Sequence, residues 1–296
     1  MTDAGRHTQG LSEWIMTRDG RRLHAAMLPG PGDDTAPTVV FEAGAAGSRS
    51  SWALVQPRVA GFARAVAYDR CGLGRSAPDP VGRTLDRIAD DLNDLLDHYG
   101  PGPFILAGHS AGGPIVRLAA ARRPDRIRGL VLVDPTDESA DVLFSRRFRH
   151  AERLAIMAGT VLARTGTLKR LYGFLLDACP ADVRADLERE GFTPTVIRTQ
   201  AAQARTFLDE IAAWRTAPPD IGDIPVTVIS GARPGDGMPP AIRAAAIAAH
   251  KQRAARSAGG RHVVAEHSSH YVPITEPDLI TEEIRRLVTS VAGNHQ

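Results

Sequence analysis

Apolar positions along this chain follow two alternating patterns, and their order predicts the architecture. Short apolar runs stand at 38–42, 65–68, 104–107, 129–133, 226–230 and 262–265, most of them ending in loops of small or polar residues. Runs of this length bounded by turn signals read as buried strands. Between them the spacing changes to the helical period. Over 85–99, Leu85, Ile88, Leu92, Leu95 and Leu96 share one face, and Gly100 stops the helix. Residues 277–291 repeat the pattern with Leu279, Ile280, Ile284, Leu287 and Val288 inward. Residues 52–62 have helical spacing, and 240–256 form an alanine-rich helical stretch. Residues 13–27 read as two short strands around an Asp19-Gly20 turn, and 29–37 as a Pro/Gly/Asp loop. Strands alternating with helices predict an α/β fold: a mostly parallel sheet with helices on both faces.

One segment breaks the alternation. Between Asp134 and Asp223 no strand-like run occurs, and helical segments are expected at 148–166, 168–176, 181–190 and 194–214. The expected division is therefore a core from 1–135, an all-helical insertion over 136–221, and the rest of the core over 222–296.

Composition narrows the picture. A chain of 296 residues has room for one large α/β domain with an insertion, or for two small domains. The apolar fraction of 43% and charged fraction of 24% are those of a soluble globular protein. Net charge is only +2, from 36 basic and 34 acidic residues, so a small-molecule substrate is expected and neither nucleic acid nor a membrane is expected as a partner. Nearly all basic residues are arginine, with lysine only at Lys169 and Lys251, which reads as codon bias. Residues 1–10 lack the apolar core of a signal peptide, and no run approaches the length needed to span a bilayer. Two cysteines, Cys71 and Cys179, make no disulfide framework, so a cytoplasmic protein is expected. No His/Cys/Asp cluster has metal-ligand spacing, and Gly72 and Gly74 lack the dinucleotide-binding pattern. Neither metal nor cofactor is expected, and oligomeric state is left open.

The chemistry is expected at Gly108-His109-Ser110-Ala111-Gly112, which fits G-x-S-x-G. An apolar strand precedes it and a helical pattern with Ile115, Val116, Leu118 and Ala119 follows. That is the context of a nucleophile elbow, in which a serine sits on a tight strand-to-helix turn. Gly108 and Gly112 leave room for the turn, and the helix start aims free N–H groups and a positive dipole end at the site. A serine nucleophile needs a general base within hydrogen-bond reach, and His267 and His270 both follow the last predicted strand.

Several motifs now agree with one family. Glu42-Ala43-Gly44, Tyr68-Asp69-Arg70-x-Gly72-x-Gly74-x-Ser76, Gly108-His109-Ser110-x-Gly112-Gly113, Leu130 to Pro135, and Ser269-His270-Tyr271 resemble, in order and spacing, those of an α/β-hydrolase with a helical cap. The resemblance covers nearly the whole core. It implies Ser110 as nucleophile and His270 as base, with His267 a surface residue at a strand end. It implies backbone N–H donors at Ala45 and Ala111 for an oxyanion. The family's usual His-Gly before that loop is Ala43-Gly44 here, which removes a common side-chain support. Two acids remain open: Asp134 at the end of the strand after the elbow helix, which we favour, and Asp236 in the loop after the next strand. Asp69 and Arg70 are expected to brace loops, and His109 to pack away from the reacting centre.

The expected function is hydrolysis of an ester or related acyl bond through an acyl-enzyme. Apolar stretches at 171–176 and 207–211 suggest a small, largely apolar substrate. An acyltransferase, thioesterase or lactone-forming cyclase would use the same triad, and a ligand receptor on this fold is the non-enzyme alternative. Epoxide hydrolases and dehalogenases are disfavoured, because both place Asp where Ser110 stands.

Overall fold

Eight strands form one sheet in the order β1-β2-β4-β3-β5-β6-β7-β8. The computed structural model describes residues 7–32, 36–257 and 259–293. Residues 1–6 of the polar stretch at 1–10, and residues 33–35 of the loop at 29–37, lie outside the described residues. In chain order the elements are β1 (Leu11–Met16), β2 (Arg22–Leu28), β3 (Thr38–Glu42), α1 (Gln56–Val59), β4 (Ala65–Asp69), α2 (Leu85–His98), β5 (Phe104–His109), α3 (Gly112–Arg122) and β6 (Ile127–Val133). Then come α4 (Arg146–Arg164), α5 (Leu168–Leu171), α6 (Gly173–Ala178), α7 (Ala181–Glu190), α8 (Pro194–Ala204) and α9 (Phe207–Ala213). The chain closes with β7 (Val226–Gly231), α10 (Pro240–Arg256), β8 (Arg261–Ala265), α11 (Val272–Thr275) and α12 (Pro277–Gly293).

β1 and β2 pair antiparallel at one edge, and from β4 to β8 all pairing is parallel. Every residue of β3, β4, β5 and β7 is buried. A parallel sheet covered on both faces needs strands that are apolar on both sides, which is why they read as runs rather than alternations. One core layer holds α2 and α3 against the sheet through Leu92, Leu95, Leu106, Val116 and Leu130. The other holds α12 and the segment around Trp52 through Phe41, Val131, Ile284 and Leu287.

The expected helix over 52–62 is instead a 3-10 turn at Arg49–Trp52 followed by the single turn α1. Pro57 explains the break, since it has no N–H with which to continue a ladder from residue 53. The helical run between β6 and β7 forms as six helices, with no strand between them.

Buried charge fastens that run to the sheet. Arg49, only 1% exposed, donates from Nη1 to Asp69 at the end of β4 and to Glu190 of α7, both at 2.7 Å, and from Nη2 to Asp186 at 2.5 Å. Arg75 reaches the same two acids of α7 from the surface side. On the apolar side, Phe207, Leu208 and Ile211 of α9 enter the core layer beneath α3.

Removing one partner of a buried ion group leaves the others uncompensated. Arg49→Met should therefore cost about 3–5 kcal/mol of unfolding free energy in urea, whereas the more exposed Arg75→Met should cost about 1 kcal/mol or less. Equal losses would mean that Arg49 is not the fastening point.

Candidate active site

The turn after β5 brings the first functional group to the sheet's carboxyl edge. Ser110 has φ +55°, a left-handed conformation that only a close steric fit sustains. A Cβ on Gly108 would lie 2.5 Å from Gly112 O, and one on Gly112 would lie 2.6 Å from Glu42 O. Glycine is required at both. α3 begins at Gly112 and directs its N-terminus at the serine.

Three side chains from separate segments line up here. Ser110 Oγ lies 3.0 Å from His270 Nε2, and His270 Nδ1 lies 2.7 Å from Asp134 Oδ2. Burial pushes the Asp134 carboxyl up, but the hydrogen bond and charge of His270, with His250 and Arg243, outweigh it and hold the group well below the usual carboxylate range. An ionised carboxylate only accepts, so Nδ1 carries the ring hydrogen and Nε2 is free to accept from the serine hydroxyl. The other oxygen of Asp134, Oδ1, accepts from Gly231 N at 3.1 Å and from Arg243 Nη1 at 2.5 Å.

Asp236 occupies a different place. It accepts from the Ser269 hydroxyl and, at 3.3 Å, from the backbone N–H of His270, and it does not touch the imidazole. It shapes the turn that carries the ring. His267 is exposed, with Nδ1 3.0 Å from Arg233 Nη2.

His109 differs from expectation only in part. Its ring lies 4.7 Å from that of His270, centroid to centroid, and its Nε2 donates to His270 O at 2.9 Å. It is a buried packing residue, as expected, but it packs on the histidine itself and not among the residues that line the cavity. Burial, helped by the neighbouring His270, lowers its pKa to about 3, so the ring stays neutral.

Ala45 and Ala111 both line the cavity beside Ser110, and neither backbone N–H donates to a group among the described residues. The loop of Ala45 is braced by Arg70, as expected. Arg70 donates to three successive carbonyls, Ala43 O at 2.6 Å, Gly44 O and Ala45 O at 2.9 Å, and to the carboxylate of Glu42. Tyr68 also donates to Glu42. Carbonyls turned back toward a guanidinium free the opposite N–H groups to face the cavity. Arg70 thus fastens the loop after β3, whose residue before Gly44 is Ala43.

The cavity measures about 260 Å³ and reaches from Ser110 to the helices between β6 and β7. Val142, Leu143, Phe148, Phe207, Leu208 and Ile242 give it apolar walls. The stretch at 171–176 does not line it, and Leu171 is 63% exposed. The wall is formed by residues of α4, α8 and α9 instead, while Phe174 of α6 packs edge-on against Tyr271 at 5.3 Å. Sequence reasoning also missed three polar neighbours. Arg243 sits on the acid; His250 lines the cavity and donates from Nε2 to Pro135 O at 2.8 Å; Gln203 lines the wall with both amide atoms buried and without a partner among the described residues. All three sit in helical stretches whose local pattern gives no sign of an inward task. No group of His, Cys, Asp and Glu among the described residues is placed to hold a metal.

A family model described as alpha/beta hydrolase fold matches residues 37–277. The chain belongs to the α/β-hydrolase fold family. An AB hydrolase superfamily protein of Gibberella zeae is 28% identical over 290 residues, covering 86% of this chain and 87% of the relative. A Caulobacter protein provisionally named carbamate hydrolase RutD is also 28% identical, over 94% of this chain and 98% of its own. Among solved structures, the epoxide hydrolase CorEH superposes with a TM-score of 0.73 at 21% identity, over 95% of this chain and 99% of that one. At that identity the likeness is one of fold.

This hydrolase should lose stability in acid partly through His109. Its folded pKa of about 3 lies below the ordinary 6.5, so the unfolded chain alone binds the proton between those values. The contribution is complete above pH 6.5 and is lost as pH falls toward 3. His109→Gln keeps a donor but cannot titrate. Between pH 6 and 4 its unfolding free energy should fall less steeply than that of the wild type, by up to about 1.4 kcal/mol per pH unit. Parallel curves would show that His109 protonates in the folded chain.

Proposed function

We propose that this α/β-hydrolase cleaves an ester or related acyl bond by way of an acyl-serine. One observation carries the reading: a serine on a strained elbow lies within hydrogen-bond reach of a histidine whose far nitrogen faces a buried, ionised carboxylate. Ser110 attacks the carbonyl while His270 takes its proton. Backbone N–H groups of Ala45 and Ala111 hold the oxyanion, where preorganised donors act most strongly. His270 then returns the proton to the leaving group, and water admitted against the same base releases the acid. Asp134 holds the tautomer and stabilises the imidazolium as it forms.

Residues 136–221 act in this reading as a cap that shapes the acyl pocket. Phe148, Phe207 and Leu208 suit an apolar portion of the substrate. Gln203 adds a polar requirement. A buried amide without partners costs about 1–3 kcal/mol, and a substrate group that both donates and accepts, such as a hydroxyl or an amide, would recover it.

An organophosphonate ester should label Ser110 and leave Ser76, Ser230 and Ser269 unmodified, read by peptide mass spectrometry. Label elsewhere, or none on an active enzyme, would remove the serine mechanism. Asp134→Asn should lower kcat by roughly 10⁴-fold with the fold kept, and Asp236→Asn by far less, since Asp236 touches only the backbone of His270.

Gln203→Leu should favour plain alkanoyl esters over hydroxyacyl or amidoacyl esters of equal length by roughly 10-fold in kcat/KM. An unchanged ratio would mean that the amide does not meet the substrate.

A further inference from the structure

α4 carries an outward face that the catalytic reading leaves unused. Leu154, Met157 and Val161 are 51%, 64% and 59% exposed and recur at helical spacing, so they form one stripe. Leu171 and Phe174 extend the apolar surface, at 63% and 44% exposure. These five are most of the large apolar side chains exposed among the described residues. Phe174 also meets Tyr271 edge-on at 5.3 Å, next in the chain to His270.

Cations rim this face. Residues 146–170 hold seven Arg and Lys side chains against the single acid Glu152, a net of +6. The whole chain carries only +2, so everything else sums to −4. Arg149 pairs with Asp209. Arg146, Arg147, Arg153, Arg164, Lys169 and Arg170 are all exposed, and none of them forms an ion pair among the described residues. By helical position Arg146, Arg153 and Arg164 flank one side of the stripe and Arg147 the other.

We propose that this face docks the protein on an anionic lipid surface. A helix with an exposed apolar stripe bordered by Arg lies in the interface plane, stripe in the acyl boundary and cations among the headgroups. Charge argues against a second copy as the occupant: a two-fold contact through the stripe would oppose one cationic rim to another. No described helix is long and apolar enough to cross a membrane, so the contact is peripheral. The inner face of α4 supplies Phe148 and Glu152 to the cavity wall. Docking would therefore set the pocket directly beneath the bilayer surface. The inference concerns binding and stands apart from the identity of the nucleophile.

Vesicle flotation with the full chain tests it. Binding to phosphatidylcholine vesicles containing about 30% phosphatidylglycerol should exceed binding to phosphatidylcholine alone by at least ~10-fold at low salt and should weaken at about 0.5 M salt. Arg164→Glu with Arg170→Glu should reduce capture by at least ~10-fold. Lys251→Glu with Arg256→Glu on α10 makes the same change in net charge and should leave capture intact. Met157→Ser with Val161→Ser should abolish the part that survives high salt. All these positions are exposed, and circular dichroism confirms folding of each variant. Several results would overturn the proposal: no capture, equal capture by neutral and anionic vesicles, or equal losses in the two charge-reversed pairs. So would a dimer in sedimentation velocity that Met157→Ser dissociates, without vesicle binding.

Discussion

The backbone N–H of Ser110 donates to Val133 O on the neighbouring strand, and that of Asp134 donates to Ile229 O on the next. Each residue stands one position past a parallel strand, and each is held at positive φ, +55° and +42°. Such conformations cost non-glycine residues about 1–3 kcal/mol each. They persist because the sheet ladder continues one bond into the turn and leaves no relaxed alternative. The strain turns the serine and the carboxylate out of the sheet plane, toward a histidine delivered by the loop after β8. Without the flanking glycines the turn could not close, and without the ladder it would open.

Around this edge, arginines reach between segments far apart in the chain. Arg49 joins β4 to α7, Arg70 gathers the loop after β3, and Arg243 joins α10 to Asp134. Arg117 and Arg253 meet at Glu138, in the loop after β6. Desolvation offsets most of the attraction in such groups, so net stability is a poor account of them. Their effect is geometric. A planar guanidinium with donors in fixed directions can satisfy several acceptors at once, as Arg70 does with three carbonyls and a carboxylate. Loops built of alanine and glycine have no side chains with which to hold themselves, and the guanidinium supplies that hold.

The helices between β6 and β7 combine two surfaces with different demands. Their inner side is mostly apolar, with Glu152, Gln200 and Gln203 as polar groups, and it walls the cavity beside the serine. The outer side of α4 and α5 concentrates positive charge, a net of +6 over residues 146–170, in a chain whose remainder is net negative. A whole-chain charge of +2 averages that asymmetry away. Only the helical register, which puts Arg146, Arg153 and Arg164 beside Leu154, Met157 and Val161, makes it a surface.

The sequence by itself determined what depends on neighbours in the chain. Apolar runs alternating with helical spacing specified the parallel sheet, because strands covered on both faces must be apolar throughout. The elbow was legible because its geometry demands glycine two residues before and two after the serine. The loss of strand pattern after Asp134 marked the helical run between β6 and β7. Tertiary structure decided whatever depends on distant partners. Asp134 lies 136 residues from His270 and Asp236 only 34, yet Asp134 meets the ring and Asp236 meets the backbone. Arg243 lies 109 residues from the carboxylate it contacts. An arginine or glutamine on an alanine-rich helix has the same local pattern whether it faces water, an acid or a cavity. The packing of the helix on the sheet chooses among them, and that choice is made by the whole core at once.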